Sequence, residues 1–112
     1  MDSLSPIGEA IKAYKLNAGG GFEAWSRVPC AEHYRMHVPS MGFDVTGHAE
    51  VNAVTFGWLT DIGAQQELMN IVEFGDSVTC FLRITDKESA VLEIVEVFQI
   101  NAEGHVSEIW AL

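Results

Sequence analysis

Glu96 lies in the run Val91 to Ile100, where apolar residues recur with a period of two. As a strand, this segment puts Leu92, Ile94, Glu96, Phe98 and Ile100 on one face and Val91, Glu93, Val95, Val97 and Gln99 on the other. The first face is apolar apart from one carboxylate. Such a group needs a strong partner, a raised pKa, or a cavity that admits water or ligand. In a cavity it is a candidate for acid–base chemistry. On a solvent-facing edge strand, or paired with an Arg across the ladder, it is structural, and a bulge would invert the parity altogether.

The remaining residues able to do chemistry are fewer. Ile7, Ile11 and Tyr14 fall at i, i+4 and i+7, so Tyr14 points inward from a first helix. His33 and His37 alternate with Tyr34, Met36 and Val38 along a first strand, so the histidines face away from Val38. Metal binding by the two histidines would need a third ligand that the sequence does not offer, and a surface or interface role is favoured; no metal or cofactor is expected. Tyr34, Met36 and Val38 share one face, which lines a pocket or simply packs the core. Trp25, Trp58 and Phe98 border the same interior. Arg83 is a possible cross-strand partner for a carboxylate. Cys30 and Cys80, far apart and in no C-x-x-C pattern, read as reduced, half-buried thiols.

The elements that position these residues follow from pattern and punctuation. Ser5 is a plausible N-cap with Pro6 at the tolerated first position, and the run Asn17-Ala18-Gly19-Gly20-Gly21 ends the helix. Phe22, Trp25 and Val28 give a second short helix closed by Pro29. Ala31 to Val38 is a strand ended by Pro39, and Ser40 to Gly47 is its turn. From Gly47 to Ile62 one helical stripe carries Val51, Val54, Trp58, Leu59 and Ile62, with Gly63 as the stop. The rest reads as an antiparallel meander: Gln66 to Glu73, a turn at Phe74-Gly75-Asp76, Val78 to Thr85, the strand of Glu96, a turn at Asn101 to Gly104, and Val106 to Leu112. Helices first and strands after predict an α+β fold, with three N-terminal helices packed on a curved antiparallel sheet.

Composition narrows the function. The 112 residues, 48% hydrophobic and 20% charged, suit one domain spanning 1–112. A net charge of −10 with six Lys and Arg lacks the basic footprint of nucleic-acid or anionic-membrane binding. No apolar run reaches the ~20 residues of a membrane span, and Met1-Asp2-Ser3 does not open a signal peptide, so a cytoplasmic location is expected.

Two opening helices, a strand ending in Val38-Pro39, Gly47 starting a third helix, and the closing stretch Phe98 to Trp110 together resemble the cone-shaped NTF2-like superfamily, in its SnoaL-like and ketosteroid-isomerase-like branch. The resemblance spans nearly the whole chain and is strongest in the last hairpin. It implies a cone enclosing an apolar pocket of ordinary ligand size, and a homodimer through the outer sheet face carrying Val95, Val97 and Trp110. Its members include isomerases, polyketide cyclases, dehydratases and epoxide hydrolases, beside proteins that only bind or dimerise.

Counted back from Gly104, Glu96 matches the position at which ketosteroid isomerases hold a protonated Asp as an oxyanion donor. Tyr14 corresponds to their oxyanion-hole Tyr, given a two-residue change of loop length. Their general base, an Asp directly before the proline of the first strand, is replaced here by Val38, so ketosteroid isomerisation itself is disfavoured. The resemblance then implies a cofactor-independent isomerase, cyclase or dehydratase acting on a hydrophobic polyketide- or terpenoid-like small molecule, with Glu96 and Tyr14 catalytic and Glu96 either acid or base. A non-catalytic ligand-binding or dimerisation protein is the alternative. An epoxide hydrolase, the third, would need Arg83 and Asp86 gathered around Glu96. If Glu96 does acid–base chemistry in an apolar pocket, Glu96→Gln should leave stability equal or slightly higher, whereas a clear loss of stability would mark Glu96 as a structural ion-pair member.

Overall fold

The computed structural model of the chain describes residues 4–17 and 21–112. The Ser5 hydroxyl accepts from the Gly8 backbone N–H at 3.2 Å and Pro6 fills the first turn, which starts α1 (Pro6–Leu16). Ile7, Ile11 and Tyr14 are buried as their spacing predicts, and Lys15 is buried with them. The glycine stop expected at 18–20 lies outside the described residues. A second helix, α2 (Gly21–Trp25), buries Ala24 and Trp25.

Strand β1 (Cys30–Val38) is followed by a feature that the sequence pattern missed. A 3₁₀ turn at Pro39–Met41 ends on Gly42, whose φ of +73° only glycine adopts cheaply, and the chain returns as β2 (Phe43–Thr46), antiparallel to β1. The span expected as a turn from Ser40 to Gly47 therefore contains an edge strand. Its four residues are too short for alternation to stand out, although Val45 faces the core.

The third helix is also not the regular one predicted. Helical structure runs through α3 (Gly47–Glu50), a π-helical segment (Val51–Phe56) and α4 (Gly57–Asp61). The wider π turn brings Thr55 and Phe56, four and five residues after Val51, onto the same inner wall as Val51, whereas Val54 packs on the core beside it. The residues of this segment that face the cavity are thus Val51, Thr55, Phe56, Trp58 and Leu59; of the expected stripe, Val54 packs on the core and Ile62 does not line the cavity.

The last four strands, β3 (Gln65–Phe74), β4 (Ser77–Thr85), β5 (Val91–Ile100) and β6 (Val106–Ala111), form the expected antiparallel meander. The full order is β2-β1-β6-β5-β4-β3, and β1 pairs with β6 in parallel, so the sheet is mixed rather than wholly antiparallel. Residue patterns set each strand's faces but not which strands meet; that choice comes from the helices that carry the chain across the sheet. Register shifts occur in β1 between Cys30 and Arg35 and in β3 between Leu68 and Asn70. Inward rows from the sheet, including Met36, Val45, Val78, Leu82, Phe98 and Ile109, meet Ile11, Tyr14 and Trp25 of the helices in one core. Among the described residues no helix is long and apolar enough to cross a membrane.

Candidate active site

The parity of β5 holds: Glu96 points into the concave side of the sheet, 7% exposed, opposite Cys80 on β4 and Ala111 on β6. Its partner is Lys15, 4% exposed, whose Nζ forms an ion pair with Glu96 Oε1. No hydroxyl or amide among the described residues donates to that oxygen. Lys15 Nζ also reaches Gln66 Oε1 at 3.4 Å and lies over the Tyr14 ring at 4.9 Å and the Phe98 ring at 5.8 Å. Burial alone would lower the Lys15 pKa, but the charge and hydrogen bond of Glu96, joined by Tyr14 and Cys80, together outweigh it and hold the ammonium above its ordinary value.

Lys15 was not among the residues singled out from sequence. The signal was present, since Lys15 follows Ile11 by four and so shares the stripe of Ile7, Ile11 and Tyr14. A charged residue at a helix C-terminus ordinarily lies in solvent near the free carbonyls, so the residue type opposes the inward position that the spacing gives. Its presence overturns the expectation that Glu96→Gln would be neutral or stabilising. Removing the carboxylate would leave a buried ammonium without its counter-charge.

Tyr14 is buried with its ring 5.1 Å from that of Trp25. Burial pushes its hydroxyl pKa up; the nearby Lys15 acts in the opposite direction and Glu96 adds to the rise. These groups open on a cavity of about 80 Å³. Tyr14, Trp25, Met36, Val38, Trp58, Phe98 and Glu96 all line it, as do Lys15, Gln66 and Thr55. Its volume falls short of the roughly 300–1,000 Å³ of an ordinary ligand pocket, because long side chains such as Lys15, Met36 and Met41 crowd the walls. Toward solvent the lining continues into Met41, Leu92 and Leu112, which are 42%, 48% and 61% exposed.

Tyr34 is the exception among the expected lining residues. It is 1% exposed, outside the cavity wall, and held in a buried hydrogen-bond chain. The Trp25 indole N–H donates to the Tyr34 oxygen at 2.8 Å, and the Tyr34 hydroxyl lies 2.8 Å from His48 Nδ1. The Tyr34 oxygen accepts from the indole and shares its second hydrogen bond with His48 Nδ1, so the phenol is engaged on both sides. Tyr34 therefore positions a cavity-lining Trp rather than touching the space itself.

The other candidates lie outside the cavity. Arg83 pairs with Glu93 at 3.6 Å across the β4–β5 ladder, so it is not gathered with Asp86 around Glu96, and the cluster required for an epoxide hydrolase is missing there. His33 is exposed beside Glu32. His37 is buried on the opposite sheet face, stacked on Trp110 with ring centroids 4.0 Å apart; its Nε2 is 2.7 Å from Glu108 and its Nδ1 3.4 Å from Asp44. Among the described residues no group of three potential metal ligands occurs. Cys30 and Cys80 are free, and burial pushes both thiols up to about 12.

Neither a protein-family model nor a curated protein sequence matches the chain. Solved structures do match its fold. TerC co-crystallised with polyporic acid superposes with a TM-score of 0.78 at 18% identity, over 96% of this chain and 91% of that one. An NTF2-like protein of unknown function from Burkholderia pseudomallei K96243 gives 0.76 at 16% identity, over 97% and 91%. A proposed SnoaL-like polyketide cyclase from Jannaschia sp. CCS1 gives 0.70 at 17% identity, over 100% and 90%. The α+β architecture of the chain is the fold of these NTF2-like and SnoaL-like structures. At such identities the likeness is one of fold.

Proposed function

We propose that the cone is a cofactor-independent acid–base site for a hydrophobic small molecule, with Glu96 as general base and Lys15 and Tyr14 as electrophilic partners. The observation that carries this reading is the buried Lys15–Glu96 pair in the wall of an otherwise apolar cavity. An ammonium has three N–H donors, of which Glu96 and Gln66 engage two. The third and the Tyr14 hydroxyl are available to a ligand oxygen. With Lys15 and Tyr14 supplying the donors of the site, the role assigned to Glu96 is acceptance of a proton.

The chemistry follows without an external reagent. Glu96 takes a proton from the carbon next to a ligand carbonyl, the C–H electron pair becomes a C=C bond, and the carbonyl π pair moves onto oxygen. Lys15 and Tyr14 stabilise that enolate oxygen in a water-poor site. In a β,γ-unsaturated ketone, return of the proton from Glu96 to the γ-carbon completes a double-bond shift; in a diketone, attack of the enolate carbon on the second carbonyl forms the C–C bond and Glu96 returns its proton to the new alkoxide, completing a cyclisation. Val38 stands where ketosteroid isomerases keep their base, so in this chain the base function falls to Glu96. Polyketide- or terpenoid-like ketones are the substrate class that the apolar lining supports, entering past the exposed rim of Met41, Leu92 and Leu112 as the crowding side chains move aside, and the co-crystal of TerC with polyporic acid adds a small-molecule precedent on the same fold.

The second reading is a ligand-binding protein in which the Lys15–Glu96 pair is structural, favoured by the tight pairing itself. Deuterium exchange at the α-carbon of 1-tetralone, followed by NMR in D₂O, separates the two. The acid–base reading expects exchange accelerated by the protein and reduced by about 10²-fold or more in Glu96→Gln, with binding of the ketone retained. Binding without any acceleration would leave the second reading standing.

A further inference from the structure

Resting on that reading of the cavity, we propose that Thr55 is a ligand-binding, specificity-determining residue, and that the ligand carries a second oxygen function to meet it. Thr55 is 7% exposed and lines the same cavity as Lys15 and Glu96. Its hydroxyl donates to Met36 Sδ at 3.4 Å, and a thioether is a weak acceptor. A hydroxyl held in an apolar wall with so poor a partner is unfavourable, and Val would fill the same space without a polar atom. Packing alone therefore does not account for Thr here.

The backbone gives an independent reason. The segment Val51–Phe56 is π-helical, a form that is rare and concentrated at functional sites. Here the widened turn seats both Thr55 and Phe56 on the cavity wall. A ligand oxygen that displaced the sulfur contact would exchange a weak hydrogen bond for an ordinary one.

The class of ligand follows from the two polar stations. One oxygen, a carbonyl, belongs to Lys15 and Tyr14; the other, a hydroxyl, ether or second carbonyl, belongs to Thr55; the frame between them is apolar. The ligand is neutral overall, because the charges of Lys15 and Glu96 cancel within the cavity and a chain of net charge −10 repels anions. An apolar ketone bearing a separate hydroxyl fits this description, whereas a plain hydrocarbon or a mono-ketone uses only part of the site.

The test measures binding of 1-tetralone and of its 4-, 6- and 7-hydroxy derivatives through quenching of Trp25 and Trp58 fluorescence, in the wild type, Thr55→Val and Thr55→Ser. At least one hydroxy derivative should bind about tenfold more tightly than 1-tetralone, the effect of one good hydrogen bond. Thr55→Val should abolish that increment, so that the hydroxy derivatives and 1-tetralone bind it alike, and Thr55→Ser should keep it. An increment that survives Thr55→Val, or no increment for any derivative, overturns the role of Thr55 and leaves the Lys15–Glu96 site intact. Failure of 1-tetralone to bind the wild type at all overturns both readings.

Discussion

Lys15, near the end of the first helix, and Glu96, in the middle of the fifth strand, form an ion pair with both side chains almost wholly removed from solvent. The pair fastens α1 to the sheet and at the same time supplies the charged groups of the cavity wall. Its two roles are separable by mutation. Lys15→Met or Glu96→Gln alone leaves one buried charge and should lower unfolding free energy by about 3–5 kcal/mol in urea titrations. The double variant Lys15→Met/Glu96→Leu, with neither charge, should regain most of that loss. Equal losses in the single and double variants would show that the pair's energy lies in packing rather than charge.

Tyr34→Phe tests the hydrogen-bond chain behind Trp25. It leaves the Trp25 N–H without its partner 2.8 Å away and frees His48 Nδ1, so stability should fall by about 1–3 kcal/mol. The indole emission should shift as well, because Trp25 loses its tether. A change below about 0.5 kcal/mol would show that water replaces the hydroxyl without penalty.

Stability should decline on the alkaline side. The Cys30 and Cys80 thiols rise from an ordinary 9.0 to about 12 in the folded protein, and Tyr14 and Lys15 are also raised above their ordinary 10.0 and 10.5. Each folded pKa exceeds its unfolded value, so the folded state binds more protons between the two. The contribution of these groups is complete below about pH 8.5 and is lost as pH climbs toward 12. Melting temperature should therefore fall above about pH 9, and Cys80→Ala should flatten the first part of that fall.

The outer sheet face should hold two copies together. Phe81 and Trp110 are each 40% exposed there, beside the half-buried Val95 and Val97. Apolar surface of this kind is a normal site of association. Light scattering should give a mass twice that of the chain at micromolar concentration, and Trp110→Glu, which adds a charge beside Glu108, should return the monomer. A monomeric wild type would refute this assembly.

Most of the fold was legible because its main rules are local. Ser5 and Pro6 start a helix by satisfying or lacking a backbone N–H, and the period-two alternation of Val91 to Ile100 puts Glu96 inside whatever encloses that face. The β2 strand escaped notice because four residues are too few for alternation to register, and the π turn because hydrophobic spacing assumes a uniform helix.

The sequence by itself determined that a carboxylate would face the apolar side of β5 and that Tyr14 would point inward, since both depend only on backbone period. Only the tertiary structure decided what Glu96 meets. Lys15 is 81 residues away in the chain, and the pairing depends on how α1 crosses the sheet, a relation that no local period encodes. The same holds for Tyr34, whose strand face was read correctly but whose hydroxyl is withdrawn from the cavity by Trp25 and His48 on two different helices. Side-chain direction is a property of the strand or helix; the partner waiting there is a property of the packing.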